Sequence, residues 1–419
     1  MTDWTNKTDV LSRVQRNGYT LQYVDESLKK DKEVVLKAVQ RDCCAFQYAD
    51  KSLKKDKEFV LKIVQSDGQA LQDDDHFVTL NGHALQFADE FLKKDKEVVL
   101  EAVQQNGEVL QYVDESLKND KQVVLKAVQQ NGYALYYANE SLKKDKEVVL
   151  KAVQQNGYAL RNADESLKKD KEVVLKAVQQ NSYALEYADK SLKKDKEVVL
   201  IAVRQHGNAL EYTDESLKKD KEVVLIAVRQ NGNALEYIDE SLKKDKEVVL
   251  IAVQQNGNAL QYADESFKKD KEVVLIAVQH NSDALKYIDE SLKKDKEFIL
   301  QLLTYTIFAY RYIDNGILTG KKFNEFFPNI KLRKKIKEDM TMYGFKYQIG
   351  INKDTIPFNY NECSPGGLYC TTNQYINDFS DKAYGKDIYE VRIPDAAQVF
   401  IEGPNKLKAD MLELIKKIN

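Results

Sequence analysis

A phrase close to LKKDKEVVLIAVQQNGNALQYADES recurs along the chain at a fixed interval, and this periodicity limits the fold more than any other property of the sequence. Aligned on one leucine, the copies fall at Leu11, Leu36, Leu61, Leu100, Leu125, Leu150, Leu175, Leu200, Leu225, Leu250, Leu275 and Leu300, a period of 25 residues. The one irregular step, 39 residues from Leu61 to Leu100, resolves into a shortened unit of 14 residues and a full one starting at Asp75. Residues 1–315 therefore hold about twelve units, one truncated near 61–74, and end in a fading half-unit, QLLTYTIFAYRYIDNG.

Each unit carries the grammar of helices. Asp245 is placed to cap a helix whose first turn holds Glu247, and Val248, Val249, Ala252 and Val253 follow on one face. Asn256-Gly257 stops that helix, with the glycine in the left-handed conformation and Asn258 capping the next. A second helix of about three turns is expected from Ala259, Leu260, Ala263 and Phe267, with Tyr262 at its edge. Helices this short are marginal alone in water, so each unit must cover the apolar face of its neighbour. The expected fold is mostly α: an α-solenoid of two-helix repeats followed by a small α+β C-terminal domain. Tetratricopeptide, ankyrin and armadillo units are longer, and a leucine-rich repeat needs an apolar side chain where this one has Tyr158, Asn208 or Asp283. The truncated unit is expected to make a kink or seam, and Asp73, Asp74 and Asp75 read as a solvated loop rather than a cation site.

A net charge of -3 from 64 basic and 67 acidic residues argues against nucleic-acid or membrane partners. No apolar run is long enough for a membrane span and the start MTDWTNKTDVLSRV has no secretory pattern, so an intracellular location is expected. The four cysteines lack metal-binding spacing and the four histidines scatter over the unit, so neither a metal nor a cofactor is expected.

From Lys37 through Lys176 the residue after the aligned leucine is lysine or glutamate, and it then becomes Ile201, Ile226, Ile251 and Ile276. Superposed units would align these as an apolar stripe, which either fills volume or docks the C-terminal module or a protein partner. Recurrent tyrosines such as Tyr187, Tyr212 and Tyr262 would form a second ladder of packed edges.

From residue 316 to 419 the repeat is gone and all five prolines appear. NIKLRKKIKEDM reads as a basic helix in which Lys331, Arg333, Lys334, Lys335 and Lys337 are candidates to contact an anion, with a solvated face as the plainer reading. FKYQIGI, GLYCTT, IYEVRI and DAAQVFIE read as strands, and NKLKADMLELIKKIN as an amphipathic helix. Without a histidine the module has no Ser-His or Cys-His pair of its own. Cys370 reads as a buried thiol and Gly366-Gly367 as a turn.

The units quoted above resemble domain of unknown function 4116, a short helical repeat met in giant viruses of the mimivirus type and in amoeba-associated microbes. The resemblance implies no activity and no functional residues. YGFKYQIGIN, PFNYNECSPGGLYCTT and YEVRIPDAAQVFIE resemble an uncharacterised module that accompanies repeats in the same viruses. The pairing implies a host-directed adaptor, so the expected function is a non-enzymatic scaffold that binds a host protein along the solenoid. One alternative is a nucleotide- or NAD-using transferase in the module, with Tyr369, Glu390 and Arg392 as its candidate residues; another is a structural virion component.

Overall fold

The computed structural model describes residues 3–65, 83–314, 316–342, 345–354, 368–372, 376–377, 384, 386–403 and 406–418. The chain forms two compact units, Met1–Ile226 and Ala227–Asn419.

In the first unit every repeat opens with an α-helix of the kind Lys171–Gln180. Asp170 precedes it in extended backbone, and its carboxylate accepts the amides of Glu172 at 3.0 Å and Val173 at 3.3 Å. Two amides that the helix cannot satisfy are thereby paired. Val173, Val174, Ala177 and Val178 form the buried face, at the spacing of a helix that packs on one side.

The end of the helix differs from expectation. Asn181 is extended, with φ -149° and ψ 114°, and no left-handed residue closes the turn. Among the described residues positive φ occurs only at Gly316, Met340 and Gly350. The asparagine instead turns its side chain forward and accepts the Tyr183 amide at 3.0 Å, capping a 3-10 helix, Ser182–Tyr187. Asn256 does the same for Gly257–Tyr262 through the amide of Asn258, so Asn256 rather than Asn258 is the cap. After the 3-10 helix one extended residue, Ala188, leads to Asp189, which caps the single turn Lys190–Lys193. The second helical layer is thus a 3-10 helix and a separate turn, not one three-turn helix. An Asn and an Asp cap lie within one short stretch, and each starts its own segment. The glycine is explained by a close approach: a Cβ on Gly157 would lie 2.5 Å from the Ala177 carbonyl of the next repeat.

Consecutive repeats are joined the same way each time. The Asp189 amide donates to the Lys168 carbonyl at 3.0 Å. Lys171 reaches Asp195 at 2.6 Å and Glu197 at 2.8 Å in the following repeat, so the aspartate that caps one helix also anchors the lysine of the helix before it.

These joints show what happens around the irregular step. The Asp89 amide donates to the Lys54 carbonyl at 3.0 Å, and Lys57 pairs with Asp95 at 2.7 Å and Glu97 at 2.9 Å. The described residues on either side are thus joined to each other by the same bonds as consecutive repeats elsewhere, and the expected seam lies outside the described residues. Asp73, Asp74 and Asp75 lie outside the described residues.

The second unit continues the repeats with Lys246–Gln255, Lys271–His280 and a shortened Lys296–Leu302, followed by the 3-10 segment Ile307–Tyr310 and the turn Arg311–Asp314. Among the described residues ten strands follow: β1 Ile317–Thr319, β2 Leu332–Ile336, β3 Thr341–Met342, β4 Phe345–Lys346, β5 Gly350–Lys353, β6 Leu368–Thr372, β7 Asp387–Arg392, β8 Gln398–Gly403, β9 Lys406–Ala409 and β10 Met411–Lys417. Eight of them make an antiparallel sheet in the order β1-β8-β9-β6-β2-β7-β10-β5, and β3 pairs with β4. The helix Gly320–Phe326 packs with Phe323 buried, so the module is α+β as expected.

Two segments expected to be helical are strands. The basic run is β2, in which Leu332, Lys334 and Ile336 are buried and Arg333 and Lys335 half-buried. The chain end is β9 and β10, where Leu412 and Leu414 alternate inward. Both have neighbours on two sides of the sheet, and that pairing overrides the helix preference of their lysines and leucines.

The last repeat and the sheet share a core. Tyr310 is buried against Phe326 at 5.4 Å. Arg311 donates from Nη1 to the Glu402 carbonyl at 2.7 Å and lies over the rings of Phe308 and Phe400. Among the described residues no helix is long and apolar enough to cross a membrane.

Candidate functional site

The 3-10 helices put three side chains of each repeat on the outer surface: the second, fifth and sixth residues of the segment. In the first unit the second-position ring packs edge-on against the sixth-position tyrosine of the following repeat. Tyr19–Tyr48, Tyr158–Tyr187 and Tyr183–Tyr212 have ring centroids 5.8, 6.2 and 6.2 Å apart. The expected ladder runs among the sixth-position tyrosines themselves; these contacts instead join a second-position ring to a sixth-position one, and burial raises the pKa of Tyr187 and Tyr212.

The ladder is interrupted where the second position carries no ring, at Cys44, Glu108 and Asn208, and in a different way at one sixth position. Asn162 stands where the sixth-position tyrosine is due, so Tyr133 has no ring to meet in the next repeat. Tyr133 instead stacks on Tyr136 at 5.9 Å with an 18° interplanar angle, and Tyr136 meets Tyr137 edge-on at 5.1 Å. Tyr133 is 44% exposed, Tyr136 53% and Tyr158 40%. Sequence reasoning missed this patch; the signal was Tyr136, Arg161 and Asn162, three neighbouring departures from the repeat.

On the helical side of the repeat the cap aspartates and the lysines at the helix starts pair with one another from rung to rung. Asp170 has its carboxyl pKa lowered: burial opposes ionisation, and the Lys146 ammonium and the Val173 and Glu172 amides more than offset it. Lys146 and Lys171 in turn are held protonated by the aspartate and glutamate they bridge. The fifth position of the 3-10 helix is different. It reads Gln111, Tyr136, Arg161, Glu186 and Glu211 in consecutive repeats, all outside that network and all but half-buried Gln111 exposed.

Ile201 and Ile226 in the first unit, and Ile251 and Ile276 in the second, are all half-buried. Each lies beside a buried alanine on its helix, such as Ala202 or Ala252.

In the module, Tyr369 on β6 lies opposite Lys408 on β9, with the Lys406 and Lys408 ammonium groups 4.3 and 5.5 Å from its ring. Glu390 and Arg392 lie on β7, and β2 runs between that strand and β6. Glu390 is opposite Arg333 and 3.8 Å from Lys416, while Arg392 is held by Glu413 at 2.6 and 2.8 Å. These carboxylate and guanidinium groups are cross-strand ion pairs. Of the basic run, Lys331 and Lys337 are exposed beyond the ends of β2. Lys334 points inward, donates to the Tyr369 carbonyl and lies 4.8 Å from the Tyr347 ring. Burial brings its pKa down to about 8 and pushes that of the neighbouring Cys370 up to about 12, so this thiol is a poor nucleophile at neutral pH. Asp42, Cys43 and Cys44 place three donor atoms within 4.8 Å of one another. The Asp42 carboxylate already caps the Cys44 amide at 2.8 Å, and burial raises both thiol pKa values.

A model of one family, the domain of unknown function DUF4116, matches in overlapping stretches from residues 6–54 and 31–73, then from 77–118 through to 270–318. The chain belongs to the DUF4116 family. No curated protein and no solved structure matches it. A single DUF4116 match such as 145–193 spans two rungs of the array. The break in the DUF4116 matches after residue 73 falls between Lys57 and Asp95, which pair with each other.

Proposed function

We propose that this DUF4116 chain is a non-enzymatic scaffold whose repeats present a row of differing side chains to a protein partner. The supporting observation is where the repeats vary. In the five helices from Val98 to Val203 the buried face is Val-Val-Ala-Val each time. The exposed Lys-Lys-Asp-Lys-Glu run around the caps also stays nearly constant, so exposure alone does not explain variation. Over the same span the fifth position of the 3-10 helix passes from Gln111 through Tyr136 and Arg161 to Glu186 and Glu211. A side chain that serves stacking has the same task on every rung; a position that changes from rung to rung is suited to recognition.

The resemblance of the C-terminal module to one found beside repeats in mimivirus-type giant viruses extends this reading to an adaptor acting on a host protein inside the cell. The test uses the full chain carrying a photo-crosslinking amino acid at Tyr136, or at Lys151 on the helical side, irradiated in amoeba lysate. The expected result is a discrete adduct from position 136 and none from 151. Equal labelling from both, or none from 136, overturns the reading.

A further inference from the structure

The scaffold reading leaves the chemistry of the partner open, and the surface between Tyr136 and Glu211 narrows it. We infer that this row takes an extended peptide whose side chains run, in order, aromatic or aliphatic, acidic, basic, basic. The inference rests on the scaffold reading and specifies where and what the scaffold binds.

Four observations in the first unit combine. Tyr133 and Tyr136 present a stacked, half-exposed aromatic platform, and the ring that would cover Tyr133 from the next repeat is replaced by Asn162. An apolar side chain of a partner fits against that platform, since tyrosine offers large contact area with little conformational entropy to lose. One rung on, Arg161 is exposed, and among the described residues no carboxylate pairs with it. On the two rungs after that, Glu186 and Glu211 are exposed beside the Tyr187 and Tyr212 hydroxyls; Lys193 donates to the Glu186 carbonyl at 2.7 Å, and among the described residues neither carboxylate is in a salt bridge. By contrast, Lys121, Lys146 and Lys171 on the helical side each bridge an aspartate and a glutamate of the following repeat. The exposed helix lysines Lys126, Lys151 and Lys176 also lack a carboxylate partner among the described residues, but they repeat one charge on every rung, whereas this row changes from aromatic to basic to acidic.

The spacing sets the form of the partner. Packed helical layers lie about 8–10 Å apart, and an extended chain advances about 3.3 Å per residue. One rung therefore corresponds to about three peptide residues, and the motif spans about nine to ten, read in either chain direction. A nucleic acid would meet Glu186 and Glu211 with like charge, and a neutral sugar would leave all three ions unpaired.

The test pans a phage-displayed library of random twelve-residue peptides on the full chain. Enriched peptides are expected to carry an aromatic or aliphatic residue, an acid about three positions away and basic residues at the next two such steps. Arg161→Glu is expected to weaken an enriched peptide about tenfold and to select peptides with a basic residue at the former acidic step, and Tyr136→Gln is expected to weaken the same peptide comparably. Both substitutions are on the surface, and an unchanged thermal midpoint keeps the comparison free of unfolding. Enriched peptides that bind Arg161→Glu and Tyr136→Gln as well as the parent chain would overturn this inference and leave the scaffold reading standing. No enrichment at all would overturn this inference too, while the crosslinking experiment above would still decide the scaffold reading.

Discussion

Asp170 does two jobs with one carboxylate: it caps the amides of its own helix and receives the Lys146 ammonium of the repeat before at 2.6 Å. Asp170→Ala removes both and should lower stability by about 1–2 kcal/mol, read from the urea midpoint. The pH dependence has a fixed sign. The folded-state pKa of Asp170 is lowered, as it is for Asp95, Asp120, Asp145, Asp195 and Asp220, so the unfolded chain binds these protons more tightly. Their contribution is complete above the ordinary carboxylate value of about 3.9 and is lost as pH falls through that value toward the folded ones. Thermal midpoints should drop steeply between about pH 5 and pH 3, and Asp170→Ala should show a shallower drop. Lys334 has the opposite logic, because its pKa is lowered to about 8 by burial. Between about 8 and the ordinary lysine value of about 10.4 the unfolded chain holds a proton that the folded module has released, so stability rises with pH in that window. In Lys334→Met that rise should be missing from the difference between the two denaturation profiles; an identical rise in both chains would mean that the ammonium is not buried in the folded state.

At the scale of the element, the bonds from Lys54 to Asp89 and from Lys57 to Asp95 lead us to expect that 14 residues between them can be removed without losing the joint. Removing residues 66–79 joins LKIVQ to LNGHALQF, which restores the phrase of the other repeats. The shortened chain should keep its urea midpoint to within about 1 kcal/mol, since loop length changes closure entropy only slowly. A loss of several kcal/mol would mean that the segment is a packed layer after all. The same elements show what could be read in advance. The helix caps and the Val-Val-Ala-Val face were legible because an aspartate followed by an apolar one-sided run has few other uses. The 3-10 helix was not, because Asn-Gly before ALQYADE fits a left-handed helix end equally well; the decision lies with the Ala277 carbonyl, 2.1 Å from where a Cβ on Gly257 would be, and that atom belongs to another repeat. In the module, LRKKI and MLELIKK contain good helix formers and become strands because they meet β7 from its two sides, a long-range pairing that no local window contains. Of the candidate site, the charged residues on β7 were found by type alone, whereas Tyr133 and Tyr136 needed the repeats to be compared with one another.

For the whole molecule the question is how far one joint is felt along the array. Each repeat touches its neighbours through the same few bonds, so stability should be a sum of local terms, weakest where a face lacks a following repeat. In Ala227–Asn419 the final face is covered by the sheet: Arg311 donates to the Glu402 carbonyl at 2.7 Å between the rings of Phe308 and Phe400, and the Tyr312 hydroxyl reaches back to the Leu285 carbonyl at 3.3 Å. Arg311→Ala removes a charge-assisted hydrogen bond and two ring contacts and should cost about 1–3 kcal/mol locally. In a nearest-neighbour array that loss stays near the joint. Amide exchange should quicken across Lys296–Leu302 and Ile307–Tyr310 and remain unchanged in Lys146–Gln155 and Lys171–Gln180. If the distant helices quicken by the same factor, the repeats open as one cooperative body and the additive picture fails. If only the terminal segments respond, the sheet acts as the terminal cap of the array, and the exposed 3-10 row can vary from rung to rung without unsettling the stack that carries it.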